Sequence, residues 1–258
     1  MTGDGEILVE RHGQVAVVRV YRPEKLNAVT PHMASRLRDH VCRLDTDPEV
    51  RALVLTGTGD RAFCVGSDIE SLRDYDTPWD FRNRDDYADA IRHVRTPVVA
   101  AVNGYSYGGG LELALACDIR LAAATATFAA PEIKLGWIGG AGQAVGLAHS
   151  IGPSNAALML LTGDPIDART ALEWGLVSQV VPPAELLSTA IELAGRIAAR
   201  APIAAETAKV NLRAAYAMAP EQAVRYERDL QAVCMATEDA REGRRAFSER
   251  REPKFHGR

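Results

Sequence analysis

The sequence lacks the features that mark a membrane, secreted or metal-dependent protein. No run among its 258 residues approaches the roughly 18 apolar residues of a membrane-spanning helix, so no span is expected. The opening MTGDGEILVE is acidic and holds no apolar stretch, which argues against a secretory leader. The four cysteines, at 42, 64, 117 and 234, show neither paired spacing nor a C-x-x-C motif, and they read as reduced, mostly buried thiols of a cytoplasmic protein. Six histidines are scattered without an H-E-x-x-H or similar pair, so no metal site is expected. A net charge of −4 gives no overall attraction to nucleic acid or anionic membrane, and a polyanionic ligand must therefore be met by local positive groups. No fixed-period repeat or low-complexity linker divides the chain.

What is present is ordinary globular material, 47% apolar and 25% charged, in a chain long enough to bury a large core. ILVERHGQVAVVRVYRP has β-branched runs on either side of His12-Gly13, which predicts a hairpin ending at Pro23. TPHMASRLRDHVCRLDTDP predicts a helix with Thr30 as N-cap and Pro31 at its first position, stopping before Pro48. RALVLTG reads as a buried strand, a helix is expected from about Trp79 to His93, and PVVAAVNG, DIRLAAA and ATFAAP read as further strands around the helix GGLELALAC. Strand and helix alternate to about residue 180, the pattern of a layered α/β domain. From Pro182 four helices follow without intervening strands and are expected to bury apolar surface against the core or another subunit.

Three stretches suggest chemistry. Gly104-Tyr105-Ser106-Tyr107-Gly108 is a literal G-x-S-x-G, but only His149 and His256 lie downstream as bases and no H-G-G-G loop precedes it. Gly57, Gly59 and Ala62 match a dinucleotide fingerprint, yet no helix pattern follows to face a pyrophosphate. The third reading joins distant segments. AFCVGSDI and YGGGLEL each place small residues after a buried strand, where bare amides can approach a ligand oxygen, and Glu112 and Glu132 follow close by.

At these residues the sequence resembles the crotonase, or enoyl-CoA hydratase/isomerase, superfamily. The resemblance runs through RPEKLNAVT (22 to 30), RAFCVGSDI (61 to 69), residues 97 to 136 and LTGDPIDARTALEWGLVSQVV (161 to 181), and reaches the ending ERREPKFHGR. It implies an α/β fold, a crotonase-like spiral of ββα units followed by a C-terminal helical trimerisation segment. The expected division is a core of residues 1–195 and a helical region of 196–258. It also implies a homo-oligomer, a trimer or dimer of trimers, acting on acyl-CoA thioesters, with fatty-acid β-oxidation as an expected setting. No cofactor is expected beyond the coenzyme A carried by the substrate, and no nucleic-acid or membrane partner.

The resemblance places the oxyanion-hole amides on Ser67 and Gly109, with Gly66 and Gly108 beside them, and the two hydratase carboxylates on Glu112 and Glu132; Ser106 falls on a non-catalytic position. Two preorganised amides stabilise the enolate that forms when water adds to an unsaturated thioester. In this scheme ionised Glu112 activates the water and Glu132 supplies the α-proton, burial or a like-charged neighbour raising one of the pair. The coenzyme is expected along Arg22, Lys25, Leu26, Ala28, Asp68 and Ile69, with Lys254 and Phe255 as contacts of the same or an adjoining subunit. The stretch from Arg241, with seven Lys or Arg against three Glu, is otherwise a solvated helical face.

The chain departs from the family pattern after Glu132. LGWIGGAGQAVGL has Gly139 where proline is usual and Gln143-Ala144-Val145 in place of a G-T-Q stretch. Trp137 is expected either to narrow the acyl pocket or to pack into the core. RDYDTPWDFRNRDDYADA is expected as a charged lid over the acyl side. The leading reading is hydration of a 2-enoyl-CoA to a 3-hydroxyacyl-CoA. Its alternatives are a double-bond isomerase, a carnitinyl- or aryl-acyl-CoA hydratase, a serine hydrolase using Ser106, and a non-catalytic coenzyme-A-binding protein.

Overall fold

The computed structural model describes residues 4–71, 75–84 and 86–258. Strands β1 (Glu6–His12) and β2 (Val15–Tyr21) form the expected hairpin, in antiparallel register from Glu6 opposite Tyr21 to His12 opposite Val15. Helix α1 (Pro31–Thr46) starts where its signals predict, with Thr30 Oγ1 accepting the Met33 N–H at 3.2 Å. It lays Met33, Leu37, Val41 and Leu44 on the core.

The chain then makes one move three times. Strands β3 (Ala52–Gly57) and β4 (Ala62–Cys64) lead to α2 (Pro78–Arg82) and α3 (Tyr87–Arg92). Strands β5 (Val98–Val102) and β6 (Tyr105–Tyr107) lead to α4 (Gly109–Ala116). Strands β7 (Ile119–Ala123) and β8 (Thr127–Ala129) lead through the 3-10 turn Pro131–Leu135 to α5 (Gln143–Thr162). The first strand of each pair enters a large sheet, ordered β1-β2-β3-β5-β7 and completed by β10 (Gln179–Val181). The second enters a small sheet, ordered β4-β6-β8 and completed by β9 (Ile166–Asp167). Apart from the hairpin and the β8–β9 pair, all pairings are parallel. Central strands β3 and β5 are buried along their whole length, because both faces of the large sheet are covered; this is why they read as unbroken apolar runs.

The far face of the large sheet is covered by α7 (Leu186–Ala198), which follows α6 (Ala168–Trp174). Ala190, Ala194 and Ala198 recur at four-residue spacing and meet Val17, Val54 and Val99, small side chains letting the helix lie close to the strands. This helix thus belongs to the core, and the expected boundary at 195/196 falls inside it. Beyond it come α8 (Pro202–Ala217), α9 (Pro220–Ala236) and α10 (Glu238–Glu249), completing the four helices expected after Pro182. Helix α8 is fixed to the core by Lys209, whose buried Nζ lies 2.7 Å from Asp118 and donates to Thr96 O at 2.9 Å.

Two expectations are corrected. The single helix expected from Trp79 to His93 is two, because Thr77 caps α2 and Asp86 caps α3: Thr77 accepts the Asp80 N–H at 3.1 Å and Asp86 the Ala88 N–H at 2.9 Å. A periodicity count passes over the second cap. Arg73, Asp74 and Asp85 of the expected lid lie outside the described residues. Helix α5, with a mean hydropathy of 1.2 over 18 residues, is long and apolar enough to cross a membrane by length and composition. The expectation that none would qualify counted consecutive apolar residues, whereas α5 meets the criterion with uncharged His149, Ser150, Ser154 and Asn155 interspersed. Gly152 (φ 76°) and Pro153 kink it midway, and Leu147, Ile151, Ala156 and Met159 are buried on the core.

Candidate active site

Strands β4, β6 and β8 of the small sheet each end in a turn toward the same cavity, of about 160 Å³. After β4 the chain turns at Gly66, where φ is 98°, a backbone angle that favours glycine. A single parallel bridge joins Ser67 to Val29: the Val29 N–H donates to Gly66 O at 2.8 Å and the Asp68 N–H to Val29 O at 2.9 Å. These bonds engage the residues flanking Ser67 and turn its own N–H the other way. After β6 the chain enters α4 at Gly109, whose N–H belongs to the first turn and has no intrahelical partner. Among the described residues, neither the Ser67 nor the Gly109 N–H is taken up by a hydrogen bond. The turns touch: a Cβ at Gly66 would lie 2.9 Å from the Gly109 nitrogen, and one at Gly109 would lie 1.9 Å from Tyr87 Oη. Side chains at either position are excluded by contact, so the amides stay bare.

Glu112, on the first turn of α4, is 5% exposed, and one carboxylate oxygen accepts the Ala141 N–H at 2.7 Å. Burial pushes its pKa up to about 7; the Ala141 hydrogen bond opposes the rise, and the charges of Asp86 and Glu132 add to it. Glu132 sits on the 3-10 turn after β8, where Oε1 accepts from Gln143 Nε2 at 3.0 Å and Oε2 is buried without a hydrogen-bond partner. Burial raises its pKa too, with the Gln143 hydrogen bond opposing. Gly66, Ser67, Gly108, Gly109, Glu112 and Glu132 all line the one cavity. It holds two unused N–H donors and two carboxyl groups tuned toward neutral pH, a set suited to stabilising an oxyanion while moving protons at adjacent atoms.

The other expected residues are distributed differently. Arg22 and Asp68 were both expected along a coenzyme track. The Arg22 guanidinium pairs with Asp68 at 2.6 Å, the two side chains 8% and 13% exposed, and holds that carboxyl below the usual range. Of the two basic residues, Lys25 is the exposed one; Leu26 is half-buried and Ala28 buried. Ile69 and Trp137 line the cavity, so Trp137 is part of its wall and not of the core. Lys254 and Phe255 do not join the cavity within one chain. The Phe255 carbonyl accepts from Arg51 at 3.0 Å, just before β3 begins, and the Lys254 N–H donates to Glu242 at 3.0 Å.

Ser106 is fully buried within β6, between Cys64 and Phe128 in the sheet, and its Oγ donates to Gly110 O at 3.2 Å. A nucleophile there could not reach a substrate. The Gly57–Ala62 segment leads into β4 and not into a helix, so the dinucleotide fingerprint has no structural counterpart.

Four residues escaped sequence reasoning. Tyr87 lies over Gly109 with its hydroxyl 3.3 Å from Ser67 Oγ. Ala141 and Gln143 hold the glutamates from the loop before α5 and from its first residue. Asn27, fully buried, accepts the Arg22 N–H at 3.0 Å and donates to Thr58 O and Ala62 O at 3.0 and 2.7 Å. It thereby ties the segment before α1 to the loop entering β4. Among them only Gln143 carried a visible signal, as part of the Gln143-Ala144-Val145 departure from a G-T-Q stretch.

Comparison with known proteins gives a consistent answer. Residues 10–258 match the model of a family described as enoyl-CoA hydratase/isomerase. A probable enoyl-CoA hydratase of Mycobacterium tuberculosis is 40% identical, covering 96% of this chain and 97% of the relative. The (E)-benzylidenesuccinyl-CoA hydratase of Thauera aromatica is 37% identical, covering 97% and 99%. The crystal structure of an enoyl-CoA hydratase from Bacillus anthracis superposes with a TM-score of 0.92 at 31% identity, covering 98% and 99%. With the spiral of paired strands, the bare amides and the paired glutamates already in place, the chain belongs to the enoyl-CoA hydratase/isomerase family.

Proposed function

We propose that this protein is a hydro-lyase that adds water across the 2,3 double bond of a 2-enoyl-CoA thioester to give a 3-hydroxyacyl-CoA. The observation that carries the reading is the presence of Glu112 and Glu132 in one cavity with the unused amides of Ser67 and Gly109. The thioester oxygen sits between the two N–H groups, which stabilise the charge it gains as water attacks C3; one such donor is worth about 3 kcal/mol in other enzymes. Glu112 takes a proton from the attacking water, and Glu132 delivers one to C2. The enolate electron pair forms the new C–H bond, so the two carboxyl groups hold one proton between them before and after the reaction. That single shared proton matches a pair raised by burial, with Glu112 at about 7.

Coenzyme A enters as part of the substrate, and no further cofactor is needed. Lys25 is the basic group best placed by its exposure to meet the coenzyme's phosphates. The chemistry is that of the hydration step of fatty-acid β-oxidation, and four free cysteines and a mildly acidic charge suit the cytoplasm. A homo-oligomer, a trimer or dimer of trimers, is supported by α9, which buries none of its residues within the chain and leaves Val224, Val233 and Met235 about half exposed.

The test is turnover of purified protein on short, medium, branched and aryl enoyl-CoA thioesters, followed by loss of enone absorbance and product identification. A 3-hydroxyacyl product supports the proposal. A shifted double bond without water addition replaces it with isomerisation, and no turnover on any thioester overturns it. Sedimentation equilibrium tests the assembly, a monomer at micromolar concentration being the adverse result.

A further inference from the structure

Gln143 is the first residue of α5, and its side chain is turned into the protein, 2% exposed. Its Nε2 donates to Glu132 Oε1 at 3.0 Å and lies 3.4 Å from Gly108 O, the carbonyl of the turn that presents the Gly109 amide. Glu132 Oε2 is left buried and without a partner. The space for this amide comes from residue 139. A Cβ built on Gly139 would lie 2.6 Å from Gln143 Oε1, 2.7 Å from its Cδ and 2.8 Å from its Cβ, so no other residue at 139 leaves the amide where it is. Gly139 and Gln143, two of the positions at which the loop departs from the family pattern, are therefore one packing unit.

We propose that Gln143 is a positioning residue for proton transfer, seated by Gly139, whose amide holds Oε1 of Glu132 and leaves Oε2 as the oxygen that carries the proton to the substrate. This rests on the two-glutamate hydration reading. In the transfer the Oε2–H bond breaks, the enolate electron pair forms the C2–H bond, and Glu132 is left as a carboxylate. The charge it gains is met at Oε1 by an N–H already in place, with no reorganisation. The other charged or titratable groups around the cavity are Glu112 on α4, Arg84 and Asp86 ahead of α3, and Tyr87 on α3. Arg84 and Asp86 are paired with each other at 3.0 Å. On its own turn, Lys134 is paired with Asp164 at 2.7 Å.

The test uses Gln143→Met, which keeps the volume and removes the donor, and Gly139→Ala alone and combined with Gln143→Ala. With crotonyl-CoA as substrate, Gln143→Met is expected to lower kcat/KM roughly ten- to a hundredfold. The pH limb on which Glu132 loses its proton should move to higher pH, because losing a donor to the carboxylate makes Glu132 easier to protonate. Gly139→Ala should lower kcat/KM and Tm in the parent chain but do neither in the Gln143→Ala background, since the group it displaces is gone. A folded Gln143→Met enzyme with parental kcat/KM, or with reduced turnover and an unmoved pH limb, overturns the proposal. So does an equal cost of Gly139→Ala in both backgrounds. If the parent chain hydrates no enoyl thioester, the functional reading itself fails and this inference with it; parental turnover unaffected by Gln143→Met removes the inference alone.

Discussion

Arg22 and Asp68 face each other at 2.6 Å inside the protein, joining the segment before α1 to the residue that follows Ser67. Breaking a buried pair by removing one partner typically costs about 3–5 kcal/mol. Arg22→Met should therefore lower stability by that order in urea titrations and, by loosening the neighbouring turn, also lower kcat/KM. Asp68 is held below its ordinary 3.8 by the Arg22 hydrogen bond. Its stabilisation is thus present above the unfolded value and lost as pH falls through the folded one. Asp68→Asn should accordingly flatten the acid side of the stability curve, and an unchanged acid limb would count against the pair.

For Glu112 and Glu132 the expected result is kinetic. Each change to glutamine should reduce hydration by at least about a hundredfold, the low end for a positioned acid or base. Hydration needs Glu112 ionised and Glu132 protonated, so kcat/KM should rise with pH through about 7, where Glu112 loses its proton, and fall again where Glu132 loses its own. Neither glutamine variant should show that two-sided profile. Near-parental rates in both would sink the assignment.

The same burial has a thermodynamic signature of opposite sign. Glu112 has a folded pKa of about 7 against an ordinary 4.5, so its neutral form is favoured in the fold and stability is lost as pH rises between those values. The cost of holding it charged is about 3 kcal/mol. Glu112→Gln should be more stable than the parent at pH 8, the gap closing toward pH 4.5. Thermal melts across that range would expose the idea as wrong if the gap were independent of pH.

Gly109→Ala drives a methyl group into Tyr87 Oη, 1.9 Å from the ideal Cβ. Moving the amide should cost about 100- to 1,000-fold in kcat, the range for removal of one oxyanion donor. Tyr87→Phe removes the clashing oxygen and should restore part of the loss when combined with Gly109→Ala. No recovery in the double variant would mean that the contact does not set the position of the amide.

Ser106→Ala should leave turnover intact while costing about 1 kcal/mol of stability through loss of the bond to Gly110 O. A collapse of activity in a folded variant would return the serine to consideration.

Much of this was legible in the residues. The hairpin, the capped α1 and the parallel strands announced themselves through β-branched runs, Thr30-Pro31 and continuous apolar stretches. Ser67, Gly109, Glu112 and Glu132 could be picked out because two glycine turns and two acids follow buried strands, and the family resemblance gave them roles. What stayed hidden was partnership. Nothing in a sequence marks Arg22 and Asp68, so far apart along the chain, as partners of each other. Tyr87 and Ala141 reach the site by close packing, through a phenol hydroxyl and a backbone N–H that no motif marks. The break between α2 and α3 was missed because a second capping aspartate looks like any other charge in an acidic segment.

The turns that follow β4 and β6 carry the amides, whereas Phe81, Trp137 and Ile138, which line the same cavity, stand on α2 and on the loop before α5. The reactive atoms and the hydrocarbon they act on are thus served by separable parts of the chain. A lineage could trade one acyl group for another through a few exchanges among these three aromatic and aliphatic positions. The framework that polarises the thioester would be inherited unchanged, so diversification of substrate demands no reinvention of the chemistry.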